Sequence, residues 1–210
     1  MKLIEAAQLL NAVGRKTVCH GRKLEQVVEP YESYYLLKEE EGKWIYGLFI
    51  QEKTNKPYLT DIETLATEEE GSKFFLLKQL SRHYFDTVIK TFLSRKDLYI
   101  YDDTFDIPRL RYALSVAGVP KDLFYVDRKP SHCAIVLETN GNHYIISFYG
   151  QNGKKVSSSL PLELREALFF VFQKVVKLYL FETEVLALLK KENINVMFSD
   201  EDVNCFLSIL

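Results

Sequence analysis

Residues 32–90 and 131–182 follow one plan: an apolar run, a glycine turn, an aromatic strand, a lysine-bearing turn, and a helix with a Phe-Phe pair. Gly42 and Gly141 stand 99 positions apart. At that spacing Leu36-Leu37 meets Ile135-Val136, Glu39 meets Glu138, Trp44 meets His143, Phe49 meets Phe148 and Lys56 meets Lys155. Further on, Phe74-Phe75 matches Phe169-Phe170 at a spacing of 95. Upstream, Leu10-Asn11-Ala12-Val13-Gly14 matches Leu114-Ser115-Val116-Ala117-Gly118 at 104. Three blocks in one order, separated by small length changes in turns, describe a duplicated module. A repeated module points to displayed surface rather than to a single catalytic pocket.

The spacing of apolar residues predicts the elements. Leu3, Ala6, Ala7, Leu10 and Val13 recur at helical steps over 2–13, with Gly14 as the stop. Thr17–His20 and 26–28 are candidate short strands. Tyr34–Glu39 and Lys43–Gln51 form a hairpin around Glu40-Glu41-Gly42, and Tyr58–Ile62 adds a third strand. Thr67-Glu68-Glu69-Glu70 is a capping box opening a helix to about Leu93, with Phe74, Leu77, Leu80 and Tyr84 on one face. The second copy opens at Asp106, an N-cap with Pro108 in the first turn. It continues with a strand at 123–126 and a hairpin over 133–149 across Asn140-Gly141. A nearly all-apolar helix from about Leu162 to Phe181 closes it. Residues 98–101 read as a strand or linker.

These elements define an α+β fold of two tandem pseudo-repeats. Each is an antiparallel β-meander with flanking helices, one sheet face polar and the other covered. The expected limits are 1–97, 98–182 and a helical appendage over 183–210.

Composition narrows the function classes. A chain of 210 residues with 47% hydrophobic and 27% charged residues buries a real core. A net charge of −2 disfavours a nucleic-acid partner or an acidic membrane surface. The longest apolar run, 167–176, is broken by Gln173-Lys174, so no membrane partner is expected. Glu5 and Gln8 interrupt any leader-like start, and three dispersed cysteines read as reduced thiols. Both suit a cytoplasmic protein.

Several constellations could carry chemistry. Cys19-His20 and His132-Cys133 offer nitrogen and sulfur, but adjacent strand residues point to opposite faces, so no metal site is expected. Cys133 with His143 could form a thiol–imidazole pair across the hairpin, the basis of a hydrolase or transferase reading. Against it, an apolar strand suits an inert thiol. Asp102, Asp103 and Asp106 could be paired carboxylates for a divalent ion or acid–base chemistry, but no EF-hand-type ligand series surrounds them and Asp106 already serves as a cap, so a solvated acidic loop is expected. Glu40 and Glu41, with Glu39, Glu68-Glu69-Glu70 and Asp200-Glu201-Asp202, either complement helix ends or present negative charge to a basic partner. Tyr34, Tyr46 and Trp44 suit a protein interface if they face outward, and cross-strand packing if they do not. No Walker loop, GxGxxG, GxSxG, HExxH or CxxC occurs, and no cofactor is expected.

The order of Gly42-Lys43-Trp44-Ile45-Tyr46, Glu52-Lys53-Thr54 and Thr67-Glu68-Glu69-Glu70 with Phe74-Phe75 resembles bacterial immunity proteins of polymorphic toxin systems. The second copy matches at Gly118-Val119-Pro120, Asn140-Gly141-Asn142-His143-Tyr144 and Gly150-Gln151-Asn152-Gly153-Lys154. It departs in having His143 for tryptophan and in losing the acidic helix start. The resemblance implies a non-enzymatic protein that occludes a cognate protein toxin without a cofactor. The leading expectation is therefore a binding module using Tyr34, Trp44, Tyr46, Glu40, Glu41, Asp102 and Asp103. A small enzyme using Cys133 and His143, and a scaffold forming a homodimer through the appendage, are the other readings.

Overall fold

The computed structural model describes residues 1–51 and 56–208. Glu52-Lys53-Thr54, one piece of the immunity-protein resemblance, lies outside them. The first half runs α1 (Leu3–Ala12), β1 (Thr17–His20), β2 (Lys23–Gln26), β3 (Tyr34–Glu40), β4 (Lys43–Ile50), β5 (Tyr58–Leu65) and α2 (Glu68–Tyr84). α2 passes through a π-turn, Phe85–Ile89, into α3 (Lys90–Leu93). The second half runs α4 (Ile107–Val116), β6 (Phe124–Val126), β7 (Ala134–Asn140), β8 (His143–Tyr149), β9 (Lys155–Ser158) and α5 (Leu164–Leu180). A second π-turn, Phe181–Val185, leads to α6 (Leu186–Lys191), and α7 (Asp200–Leu207) follows. The fold is α+β. Two compact units divide the chain: Met1–Leu80 with Leu188–Met197, and Ser81–Ala187 with Phe198–Leu210. The limits drawn at 97/98 and 182/183 mark the sequence copies, whereas the compact units part within α2 and α6.

The two copies agree where the backbone is most constrained. α1 ends at Gly14 (φ 82°), where the Arg15 amide donates to the Leu10 carbonyl at 2.9 Å. α4 ends at Gly118 (φ 75°), where the Val119 amide donates to the Leu114 carbonyl at 3.0 Å. Both are left-handed C-caps that satisfy a stranded carbonyl, and they lie 104 positions apart as expected. Asp106 caps α4 by accepting from the Arg109 amide at 2.9 Å. In the box at α2, the Glu70 amide donates to Thr67 Oγ1 at 3.2 Å and the Thr67 amide to Glu70 Oε2 at 3.3 Å.

Hairpin register corrects the spacing of 99. Glu40 pairs with Lys43 and Asn140 with His143, so equivalent strand positions are 100 apart. Glycine occupies the second turn position in one copy (Gly42, after Glu41 at φ 52°) and the first in the other (Gly141, φ 62°). Matching glycine to glycine therefore slips the strands by one residue, which exchanges their faces. Trp44 is equivalent to Tyr144, not His143, and Leu37 to Leu137.

The long helices correct the spacing of 95. α2 and α5 are each 17 residues and each enters a five-residue π-turn, 96 positions apart. Phe85-Asp86-Thr87-Val88-Ile89 answers Phe181-Glu182-Thr183-Glu184-Val185. In both, the threonine hydroxyl donates to the carbonyl four residues back, Thr87 to His83 at 2.7 Å and Thr183 to Tyr179 at 2.9 Å. Burial follows this spacing: Gly71/Ala167, Phe75/Val171, Leu76/Phe172, Leu80/Val176 and Ile89/Val185 are buried pairs. Lys78/Lys174 is half-buried and Asp86/Glu182 exposed.

The sheets differ by one strand. In the first, all neighbours β1 to β5 are antiparallel, so β1 runs parallel to β3 with β2 between them. β2 occupies Lys23–Gln26 rather than 26–28. In the second, β6 pairs directly and in parallel with β7, while β7, β8 and β9 keep the antiparallel order. β6 thus keeps the direction of β1 and takes the place β2 holds in the other copy. No strand forms at 98–101, where a 3₁₀ turn is followed by Tyr99 at φ 54°. The expected appendage over 183–210 is divided between the two units, and its last helix, α7, packs within the second. Val203, Phe206 and Leu207 are buried, and Phe206 meets Phe181 at 5.4 Å. These residues are therefore not presented for the homodimer expected of the appendage.

In the first unit the inner sheet face carries Leu24, Leu37, Trp44 and Tyr46, all buried. α2 lies on it: Tyr46 meets the Phe74 and Phe75 rings at 5.0 and 5.9 Å, and Gln79 Nε2 donates to Tyr46 Oη at 3.3 Å. On the other face Gly47 lets Leu59 lie across β4, because a Cβ there would meet Leu59 Cγ at 2.8 Å and the Thr60 carbonyl oxygen at 2.9 Å. Gly47→Ala is expected to destabilise the first unit by about 1–3 kcal/mol through overpacking. Glu41→Asn, at a turn position that favours asparagine, should raise stability by up to about 1 kcal/mol. Urea denaturation of the two variants measures both effects.

Candidate functional site

Strand alternation assigns every side chain of the first sheet to a face. Tyr34↔Phe49, Leu36↔Gly47, Lys38↔Ile45 and Glu40↔Lys43 are paired across β3 and β4, and they lie on the face opposite Trp44 and Tyr46. Leu59 joins them from β5 opposite Phe49, and Glu25 and Lys23 join from β2 opposite Leu36 and Lys38. The result is a half-buried patch of Tyr34, Ile45, Phe49 and Leu59 around Leu36, itself buried at 4% exposure, with Lys23, Glu25, Lys38, Glu40 and Lys43 along one side. α2 packs on the opposite face. The face expected to be polar is thus apolar at its centre. Tyr34 and Phe49 hold each other at 5.2 Å between ring centroids. Burial raises the Tyr34 phenol's pKa, and the charge of Glu25 and its hydrogen bond to the hydroxyl raise it further.

Of the residues expected to contact a partner, Tyr34 and Glu40 point to this face from opposite ends of β3. Trp44 and Tyr46 are corrected: at 3% and 4% exposure they are core residues beneath α2 and present nothing outward. Glu41 sits in the hairpin turn. Asp102 and Asp103 lie in the second unit. Their loop is internally held. Asp102 accepts from the Thr104 amide at 2.8 Å and hydroxyl at 2.5 Å, and Asp103 pairs with Arg165. Those Thr104 hydrogen bonds lower the Asp102 pKa. The negative prongs are likewise engaged. Glu39 pairs with Arg22 at 3.0 Å and Glu40 with Lys38 at 2.8 Å. Glu69 pairs with Lys73 at 2.9 Å, and Asp200 accepts from the Gln151 amide at 3.1 Å.

The motifs behind the immunity-protein resemblance resolve into structural roles. Gly42 makes a turn, Trp44 fills the core, Thr67 and Glu70 cap a helix, and Phe74-Phe75 pack on Tyr46. Lys43 and Ile45 of the same motif lie on the outer face.

Cys133 and His143 are not brought together. Ala134 pairs with Tyr149 and Asn140 with His143, which places the thiol and the imidazole at opposite ends of the hairpin. At ~3.4 Å per residue they are roughly 20 Å apart. Cys133 instead borders a cleft of about 430 Å³ with Asp122, His132, Gln151 and Glu182. His132 Nε2 lies 2.9 Å from the Asp122 carbonyl. Burial pushes the Cys133 thiol up to about 11, helped by the charges of Asp200 and Glu182. The exposed Glu182, at the π-turn, is also raised, by desolvation first and then by Asp122, against His132. This is a negative surrounding that opposes thiolate formation. Among the described residues no group of three His, Cys, Asp or Glu could hold a metal, and no helix is long and apolar enough to cross a membrane.

A turn fixed at Glu41-Gly42 with two-residue alternation places Leu36, Ile45 and Phe49 on the outer face, and the β4–β5 pairing adds Leu59. No family model, curated protein or solved structure matches this chain.

Cys133 should alkylate at pH 8 roughly a hundredfold more slowly than an unperturbed thiol, since its thiolate fraction is lower by about two pH decades. The rate should climb until about pH 11. Rates measured with Cys19 and Cys205 replaced by serine check this; fast labelling at pH 7 would contradict it.

Proposed function

We propose that the protein is a non-catalytic binding protein, an inhibitor of the immunity type that docks a protein partner, a cognate toxin, on the outer face of its first sheet. The observation that supports it is the half-buried patch of Tyr34, Ile45, Phe49 and Leu59 on the sheet face opposite α2. Aromatic and apolar side chains at the centre with charged residues around them match the anatomy of protein interfaces. A paired sheet presents them at low ordering cost, because the backbone is already fixed. The charges of Lys23, Glu25, Lys38, Glu40 and Lys43 alternate in sign, so they select a partner of mixed charge and set its register. That departs from the uniformly basic partner that free acidic loops would suit. The toxin as partner class rests on the resemblance carried by Gly42-Lys43-Trp44-Ile45-Tyr46 and Thr67-Glu68-Glu69-Glu70.

The test is co-expression with the product of a neighbouring toxin gene. The wild-type chain should rescue growth and co-purify with it. Ile45→Asp should weaken binding by about thirtyfold or more, the loss typical of a central interface residue, with an unchanged circular dichroism spectrum. Leu160→Ser, at an exposed position of the second unit, should bind as wild type. Wild-type binding by Ile45→Asp, or no binding by any neighbouring product, would overturn the proposal.

A further inference from the structure

The second unit encloses a half-open cavity of about 370 Å³ beside β8, β9, α5 and α7, within the size range of small-ligand sites. Ile146, Phe148, Leu162 and Phe170 give it an apolar wall. Two polar side chains enter from facing helices, Lys174 from α5 and Asn204 from α7. α7 has no counterpart in the first copy, so the cavity belongs to the second alone.

Lys174 is half-buried on α5, between the buried Gln173 and Val175. Its only acceptor among the described residues is the Leu207 carbonyl, at 3.3 Å, and it makes no ion pair there. Lys177, one turn further on, is 1% exposed and fully served: it donates to Ser81 Oγ at 2.8 Å and to the Ser208 carbonyl at 2.9 Å. Lys78, the equivalent of Lys174 in the first copy, lies over the Phe74 ring at 5.5 Å. Burial lowers the pKa of Lys174, which marks an ammonium whose charge is poorly compensated. Asn204 is oriented by Ser157, whose hydroxyl donates to its Oδ1 at 2.6 Å. The amide nitrogen is left with two N–H donors and no acceptor among the described residues. The Ser159 hydroxyl is already engaged, donating to the Leu160 carbonyl at 2.7 Å and accepting from the Ile146 amide at 3.0 Å.

We propose that this cavity binds a small monocarboxylate with an apolar body, its carboxylate between Lys174 Nζ and the Asn204 amide and its hydrocarbon against Phe148, Phe170, Ile146 and Leu162. One cation in the lining suits one negative charge, and an ammonium with an amide donor offers one hydrogen bond to each carboxylate oxygen. A phosphate dianion would leave charge unmatched in an apolar surround. The site is independent of the outer face of the first sheet.

Octanoate, 1-octanol and inorganic phosphate are to be titrated separately into the isotopically labelled full chain, with binding read from Lys174 and Asn204 side-chain shifts. Octanoate should bind saturably, and 1-octanol and phosphate at least tenfold more weakly. Lys174→Met should weaken octanoate tenfold or more, and Asn204→Leu severalfold. If either variant fails to fold, the wild-type Lys174 Nζ titration decides, because its midpoint should rise when octanoate is bound. No saturable octanoate binding, equal binding of 1-octanol, an unaffected Lys174→Met, or an unmoved midpoint would overturn the proposal.

Discussion

The first unit depends on the close approach of α2 to the inner sheet face at Gly71. A Cβ there would sit 3.1 Å from Leu37 Cδ2 and 3.3 Å from Trp44 Cβ, so the helix reaches the sheet only because the residue is small. Ala167 stands at the equivalent place in the second copy and is fully buried. With the helix seated, Leu37, Trp44 and Tyr46 are committed inward. The two-residue period of β3 and β4 then leaves Tyr34, Leu36, Ile45 and Phe49 on the far side. The apolar outer face is thus a consequence of inner-face packing.

α2 and its counterpart α5 each run into a π-turn. Each inserts one residue into the helical repeat at Phe85–Ile89 and Phe181–Val185, with a threonine bonded to the carbonyl four residues back. Such insertions cluster at functional places, and Glu182 lies in one at the mouth of the Cys133 cleft. Its counterpart Asp86 is neutralised by Lys90 at 2.7 Å. A duplicated frame therefore carries two different local chemistries.

Local signals in the sequence were strong. The caps at Gly14, Gly118, Asp106 and Thr67 and both hairpins follow from short-range rules and are found where expected. Register was harder to read, because Gly42 and Gly141 are landmarks that occupy different turn positions. The Phe-Phe pairs misled in the same way, since Phe74 is equivalent to Phe170 and Phe75 to Val171. The repeat of Phe-Asp/Glu-Thr at 85–87 and 181–183 was the more specific marker, and it shows itself only once the π-turns fix the spacing. Candidate partner residues divided along the same line. Tyr34 and Glu40 lie on the outer face, whereas Trp44 and Tyr46 are held inward by a contact with α2 that composition does not encode. Lys174 looked only like an interruption of an apolar run; its meaning came from Asn204, thirty residues away on another helix.

The chain contains a single tryptophan, which makes the facing of the first sheet directly measurable. Trp44 fluorescence in the native protein should be blue-shifted relative to the unfolded chain and nearly insensitive to acrylamide, because the indole lies between the sheet and α2. Emission at the position of free tryptophan, quenched as readily as in the denatured state, would mean that the strands are turned over. Ile45, Phe49 and Tyr34 would then form the core instead of the outer face.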